Sequence, residues 1–255
     1  MNLVKNNLEI EYIRKSNKII AELFELLKRY VKEGISKREL DKIAEDFILS
    51  KGAFPSFKGY RPALNYPPYP AATCISVNEE VIHGIPNDYK LKNGDIVSID
   101  VGTLYNGYYG DATFTYEIGQ VSKEVHDLSE HTRKSLMLAI EVAKEGHYVN
   151  EIGYVVSSYI TPRGYGIVRE YCGHGVGKAI HEDPPILNYY DPKRKGPKFK
   201  AGMVIAIEPM ITLGNHQIEI LSNGWTVVTK DRKPAAHWEH SVLITDGAPE
   251  ILSVI

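Results

Sequence analysis

Asp100 and Asp111 pose the first chemical question in this chain. They sit in SIDVGTLYNGYYGDATFTYEIG, residues 98–119, with Asn106-Gly107 at the centre. Asn-Gly is the preferred pair for a two-residue type I′ hairpin turn, because both central residues must take positive φ. With Asn106 and Gly107 as the loop, Tyr105 faces Tyr108 and facing positions sum to 213. Asp100 then faces Thr113 and Asp111 faces Gly102. The two carboxylates become diagonal neighbours on one face, about 7 Å apart. Carboxylates sharing an apolar face repel, and each loses hydration. No Lys or Arg lies between Ile96 and Tyr116 to neutralise them. A divalent cation would do so; a solvent-facing pair, with Asp111 as a turn residue, would need none.

Other anomalies of the same kind follow. Glu208 closes the apolar run MVIAIEPM, and Glu239 stands at the mouth of HWEHSVLIT. An ordinary strand end or edge charge would account for either alone. In REYCGHGVGKAIHEDPP, Gly173, Gly175 and Gly177 surround His174, and His181 follows seven residues later. The segment is too Gly-rich for a helix, and glycine lets backbone approach a site closely. His83, in VIHGIP, reads from its neighbours as a loop histidine. Asp100, Asp111, His174, Glu208 and Glu239 together offer four hard oxygen donors and one imidazole. Structural zinc would favour thiolates or more histidine. This set suits two divalent cations of the Mn, Fe or Co kind, bridged by carboxylates. Such a pair, about 3.5–4 Å apart, lowers the pKa of a water and polarises a carbonyl, which is hydrolytic chemistry.

Helices and strands must position these groups. Over residues 11–32, Ile13, Ile20, Leu23, Leu27 and Tyr30 recur at helical spacing, and Gly34 stops the run. Ser36 and Glu39 form a capping-box pattern that opens a second helix, with Leu40, Ile43 and Phe47 inward and Gly52 at its end. Five prolines from Pro55 to Pro70 argue against helix or ladder in the Pro/Tyr-rich loop around GYRPALNYPPYPAA. Strand patterns then run through TCISVNEEVIHGIP and the hairpin. Two further helices are expected over residues 123–145 and 150–160, stopped by Gly146 and Pro162. MVIAIEPMI, QIEIL, GWTVVT and HSVLIT complete a second strand-rich region. Lys32-Glu33-Gly34 before Glu39-Leu40 echoes Lys144-Glu145-Gly146 before Glu151-Ile152, at an offset of 112. Element order and echo give an α+β chain of two similar halves.

Bulk properties narrow the function classes. Lys and Arg total 30 against 32 Asp and Glu in 255 residues, so net charge supplies no drive toward nucleic acid or anionic membrane. Cys74 and Cys172 are too few for a disulfide framework, which fits a reducing, cytoplasmic setting. No signal-peptide core or run of eighteen apolar residues is present, so no spanning helix is expected.

The ordered motifs CISVNEEVIHGIP, IVSIDVG, GDATFT, VREYCGHGVGKAIHEDP, AIEPM, GWTVVT and EHSVLIT resemble those of type I methionine aminopeptidases, over roughly residues 10–252. The resemblance implies the pita-bread fold: two pseudo-symmetric αβ halves around a central curved antiparallel sheet. A single catalytic domain would span residues 10–255, with halves of approximately 10–119 and 120–255, after an N-terminal extension at 1–9. Asp100 would hold a first metal, His174 and Glu208 a second, and Asp111 and Glu239 would bridge both. The metals would be two divalent ions, Co, Mn, Fe or Zn. Glu208 would also act as acid/base, His181 would donate to the scissile carbonyl, and His83 would lie near the α-amine or scissile nitrogen. Cys74, Tyr69 and Trp225 match positions lining the methionine pocket, and either Tyr60 or Tyr66 matches another. An insertion of about six residues falls within 61–68, and Ile180 replaces an expected aromatic before His181. The implied activity is removal of initiator methionine from nascent proteins and peptides, with a small second residue preferred. A monomer in transient contact with the ribosome is implied, with no membrane and no specific nucleic acid as partner. The alternatives are a non-catalytic pita-bread binding protein and a related Xaa-Pro metallopeptidase. The large N-terminal domain of prolidases is not expected here.

Overall fold

A computed structural model describes residues 3–64 and 66–254. Met1, Asn2, Asn65 and Ile255 lie outside the described residues. They fall in the expected N-terminal extension, the Pro/Tyr-rich loop and the end of the expected catalytic domain. The first helix, α1 (Asn7–Leu27), starts four residues before the apolar periodicity suggests. Asn6 explains this: its side chain accepts from Glu9 N at 3.0 Å, and the Glu9 carboxylate accepts from Asn6 N at 2.9 Å. The helix ends at Leu27, and turns carry the chain to Gly34. Tyr30 is therefore off the apolar face and 40% exposed, contrary to the sequence expectation. The Ser36–Glu39 box opens α2 (Lys37–Ser50) as expected. Its deepest stripe is Leu40, Ala44 and Ile48, spaced by four, while Ile43 and Phe47 are half-buried. The later pair is α3 (Lys123–Val142) and α4 (Asn150–Ile160), with Pro162 in a closing 3₁₀ turn.

Two cores form beneath these pairs. Ile20, Leu23 and Leu27 of α1 meet Leu40 and Ile48 of α2 over Ile75, Ile99 and Val101. Phe24 stacks on Phe114 of the hairpin at 4.2 Å between ring centroids. Leu136 and Ile140 of α3 meet Ile152 and Val156 of α4 over Ile205, Ile207 and Val242. Burying each such aliphatic side chain contributes about 1.5–3 kcal/mol, so each helix pair is held chiefly by its strands.

The hairpin strands Ile96–Tyr105 and Tyr108–Glu117 pair without a slip. Asn106 and Gly107 take φ of +48° and +82°, as the turn type requires. Asp100 faces Thr113 and Asp111 faces Gly102, the register read from the sequence. On one side Ile96–Tyr105 pairs with Thr73–Val77, placing Cys74 opposite Asp100. On the other side the hairpin meets residues 237–241. Thr113 and Glu239 exchange backbone bonds, Ser241 Oγ donates to Asp111 O at 2.7 Å, and Thr115 Oγ1 donates to His237 O at 2.6 Å. This seam joins the two cores.

Candidate metal centre

Asp100 and Asp111 project from the regular hairpin ladder, whereas His174, Glu208 and Glu239 sit where regular pairing stops or two backbones come close. Val204–Ile207 pairs with His240–Leu243, and Met210–Thr212 pairs with Ala235–His237. Between those ladders, Glu208-Pro209 and Trp238-Glu239 face each other unpaired. Proline has no N–H to continue a ladder, and Asn188 Nδ2 donates to the freed Glu208 carbonyl at 2.9 Å. The gap thus brings Glu208 and Glu239 near one another. His174 lies in Gly173–Gly175, which fits because a Cβ at Gly173 would stand 2.2 Å from Ala206 O. One at Gly175 would stand 2.2 Å from Asp183 O.

Asp111, His174 and Glu239 present ligand atoms within 4.8 Å of one another. His174 Nε2 is 3.6 Å from Asp111 Oδ2 and 3.5 Å from Glu208 Oε1. His174 Nδ1 lies 3.0 Å from the Gly175 carbonyl. A proton on Nδ1 donated to that oxygen leaves the Nε2 lone pair facing the carboxylates. Burial, and then His181, lower the His174 pKa to about 3, so the ring is the neutral, ligating form. Asp100 Oδ1, Asp111 Oδ1 and Glu239 Oε1 are buried without any hydrogen-bond partner. Burial lifts Asp100 to about 6. Burial first, then neighbouring carboxylates, push Asp111, Glu208 and Glu239 well above the ordinary range. Orphaned acceptor oxygens around a neutral imidazole are what hard divalent cations would satisfy. The donor set therefore fits such ions.

The residues singled out from sequence line one cavity of about 390 Å³: the five above with His83, His181, Cys74, Tyr60, Tyr66, Tyr69 and Trp225. His83 takes φ of +56°, rare for a residue with a Cβ and typical of positions held under constraint at sites. Its ring stands edge-on to Tyr171 and Trp225, and burial lowers its pKa to about 4. His181 Nδ1 is 3.0 Å from Tyr60 Oη. Tyr60 packs with Phe57, Tyr69, Cys74, Ile180 and Trp225, whereas Tyr66 is 38% exposed and stands at 61° to the Trp225 ring with 6.2 Å between centroids. Tyr60 thus takes the inner place and Tyr66 the rim.

The sequence reading passed over His237 and Tyr171, which also line the cavity. His237 is 3% exposed and its Nε2 stands 3.5 Å from Glu208 Oε2. Strand alternation was the available signal, since His237 and Glu239 are two residues apart and share a face. Tyr171 carried no comparable mark.

The chain matches the model of metallopeptidase family M24 over residues 11–246. It belongs to that family. It is 46% identical over 255 residues to a methionine aminopeptidase of Clostridium acetobutylicum, covering 100% of this chain and 99% of that one. It superposes on a methionine aminopeptidase structure from Thermotoga maritima with a TM-score of 0.94, at 37% identity and full coverage of both chains. Against a prolidase from Pyrococcus furiosus the TM-score is 0.79, at 27% identity, covering 99% of this chain and 66% of that one. The fold is the pita-bread fold, and the type I aminopeptidase resemblance holds along the whole chain.

Proposed function

We propose that this protein is a metal-dependent methionyl aminopeptidase acting on the initiator methionine of nascent chains. The observation that carries the reading is the convergence of Asp100, Asp111, His174, Glu208 and Glu239 beside an aromatic and thiol-lined cavity. Neither alternative is favoured. No expected ligand is missing, against a purely binding protein, and the likeness to the prolidase is weaker than to the aminopeptidases. Two divalent ions, when bound, would supply a water of lowered pKa and polarise the scissile carbonyl.

The protein's own groups account for the rest. Cys74, Tyr69, Tyr60 and Trp225 offer a small polarisable pocket suited to a thioether. His83 orients the substrate's α-amine or scissile nitrogen. Glu208 takes the proton of the attacking water and passes it to the leaving amine. With Tyr60 Oη donating to His181 Nδ1, His181 Nε2 keeps its proton and donates to the developing oxyanion. A bulky second residue would collide beside the carboxylates, hence a preference for small ones. In this reading the enzyme works as a cytoplasmic monomer touching the ribosome transiently. Among the described residues no helix is long and apolar enough to cross a membrane.

The test is hydrolysis of Met-Ala-Ser by Mn²⁺- or Co²⁺-loaded protein, beside an Xaa-Pro peptide. Cleavage of the first alone is expected. Asp111→Asn should reduce it to background, and full activity in that variant, with metal loading verified, would refute the bridging role.

A further inference from the structure

His237 is the buried polar group at the centre to which the five-ligand reading gives no task. Its backbone is fixed at the seam: N–H donates to Ser98 Oγ at 3.3 Å, and the carbonyl accepts from Thr115 Oγ1. It also pairs with Met210 across the ladder. The ring is only 3% exposed. Its Nε2 has no hydrogen-bond partner and faces Glu208 Oε2 at 3.5 Å. The other oxygen, Glu208 Oε1, faces His174 Nε2 at the same distance. The carboxylate is therefore held between two imidazoles, one oxygen toward each.

The two rings play different parts. His174 turns a lone pair toward the carboxylates when its Nδ1 donates to the Gly175 carbonyl. A bare Nε2 on His237 would set a second lone pair against Glu208 and leave both atoms unsatisfied. The Nε2–H tautomer satisfies both. The terminal torsion of a glutamate is broad and offers two equivalent oxygens. A group serving as both metal ligand and proton carrier needs one of them committed.

We infer that His237 is a positioning residue: its Nε2–H holds Glu208 Oε2, so that Oε1 alone is presented to the metal centre. This rests on the aminopeptidase reading above. Outer partners of metal ligands typically matter about 10–100-fold.

The test compares His237→Leu, which removes the donor, with His237→Gln, which keeps an amide N–H. Kinetics on Met-Ala-Ser are paired with calorimetric titration of the metal-free protein with Mn²⁺. His237→Leu should lower kcat about 10–100-fold with KM little changed, and weaken Mn²⁺ binding by about tenfold. His237→Gln should restore most of both. Should His237→Leu not fold, His237→Asn, whose shorter arm falls short of Oε2, takes its place. Unchanged kcat and Mn²⁺ affinity in the donor-less variant, or equal damage from His237→Gln, would overturn the inference. A wild-type protein inert on Met-Ala-Ser would refute the aminopeptidase reading instead, and the ratio of Mn²⁺ affinities would still decide for or against His237.

Discussion

His181 shows what one side chain is asked to do here. Its ring stands 4.4 Å from His174 and carries a hydrogen bond to Tyr60. Removing a single oxyanion donor typically costs about 10²–10³ in kcat. His181→Ala should show that loss on Met-Ala-Ser with KM nearly unchanged. Tyr60→Phe should show a smaller fall, about tenfold, because the tautomer loses its anchor and the donor itself remains. Equal kcat in wild type and His181→Ala would remove the histidine from the mechanism. At this scale the sequence was most legible for charges in wrong-looking places. Asp100, Asp111, Glu208 and Glu239 each interrupt or end an apolar run, and that pattern survives without coordinates. His237 was not legible in the same way, because its partner Glu208 is 29 residues distant and only folding brings them together. The choice between Tyr60 and Tyr66 failed for a similar reason, since both lie in one loop and only its path decides.

The Pro/Tyr-rich loop is an element with a closed neck. Tyr69 N donates to Tyr60 O at 2.9 Å, and Gly59 N donates to Tyr69 O at 2.8 Å. The described residues of 61–68 are all exposed, so the excursion contributes little to either core. Replacing residues 61–68 with Asn-Gly would turn the Tyr60–Tyr69 bond into the closing bond of a β-turn. We expect that variant to melt close to wild type. Its KM for Met-Ala-Ser should rise with kcat largely kept, because Tyr66 leaves the Trp225 edge and takes only ground-state contact with it. Loss of folding would show that the loop is structural after all. Elements were read well where local chemistry dictates them, as in the Asn106-Gly107 turn and the Ser36 box. Helix ends were read less well. The Asn6–Glu9 cap opens α1 ahead of its apolar periodicity, and the turns after Leu27 leave Tyr30 in solvent.

At the scale of the whole molecule, the candidate centre is a burden without a divalent cation. Asp100 sits at about 6 against an ordinary 3.8, and Asp111, Glu208 and Glu239 lie well above their ordinary values. An acid whose folded pKa is raised contributes stability at low pH that disappears as pH climbs through the folded value. His83, His174 and His237 are depressed to about 4, 3 and 4, and they remove stability only as pH falls below 6.5. Above 6.5 the carboxyls act alone. In excess EDTA the Tm should therefore decline as pH climbs above 6.5. Mn²⁺ at a hundred times its Kd should add about 2.7 kcal/mol. A metal-free Tm that stays level over that range would contradict the burial of these groups as charges. The two-part layout was legible from element order. The seam was not, because Thr113 and Glu239 are paired by tertiary docking alone.

That seam has a biological corollary. Asp100 and Asp111 belong to the strand hairpin over one core, while His174, Glu208 and Glu239 come from segments over the other. No fragment short of Glu239 contains the full set of candidate ligands. On the proposed ligand roles, a chain cut between Asp111 and His174 would be inert and not a partly active peptidase loose among unfinished proteins.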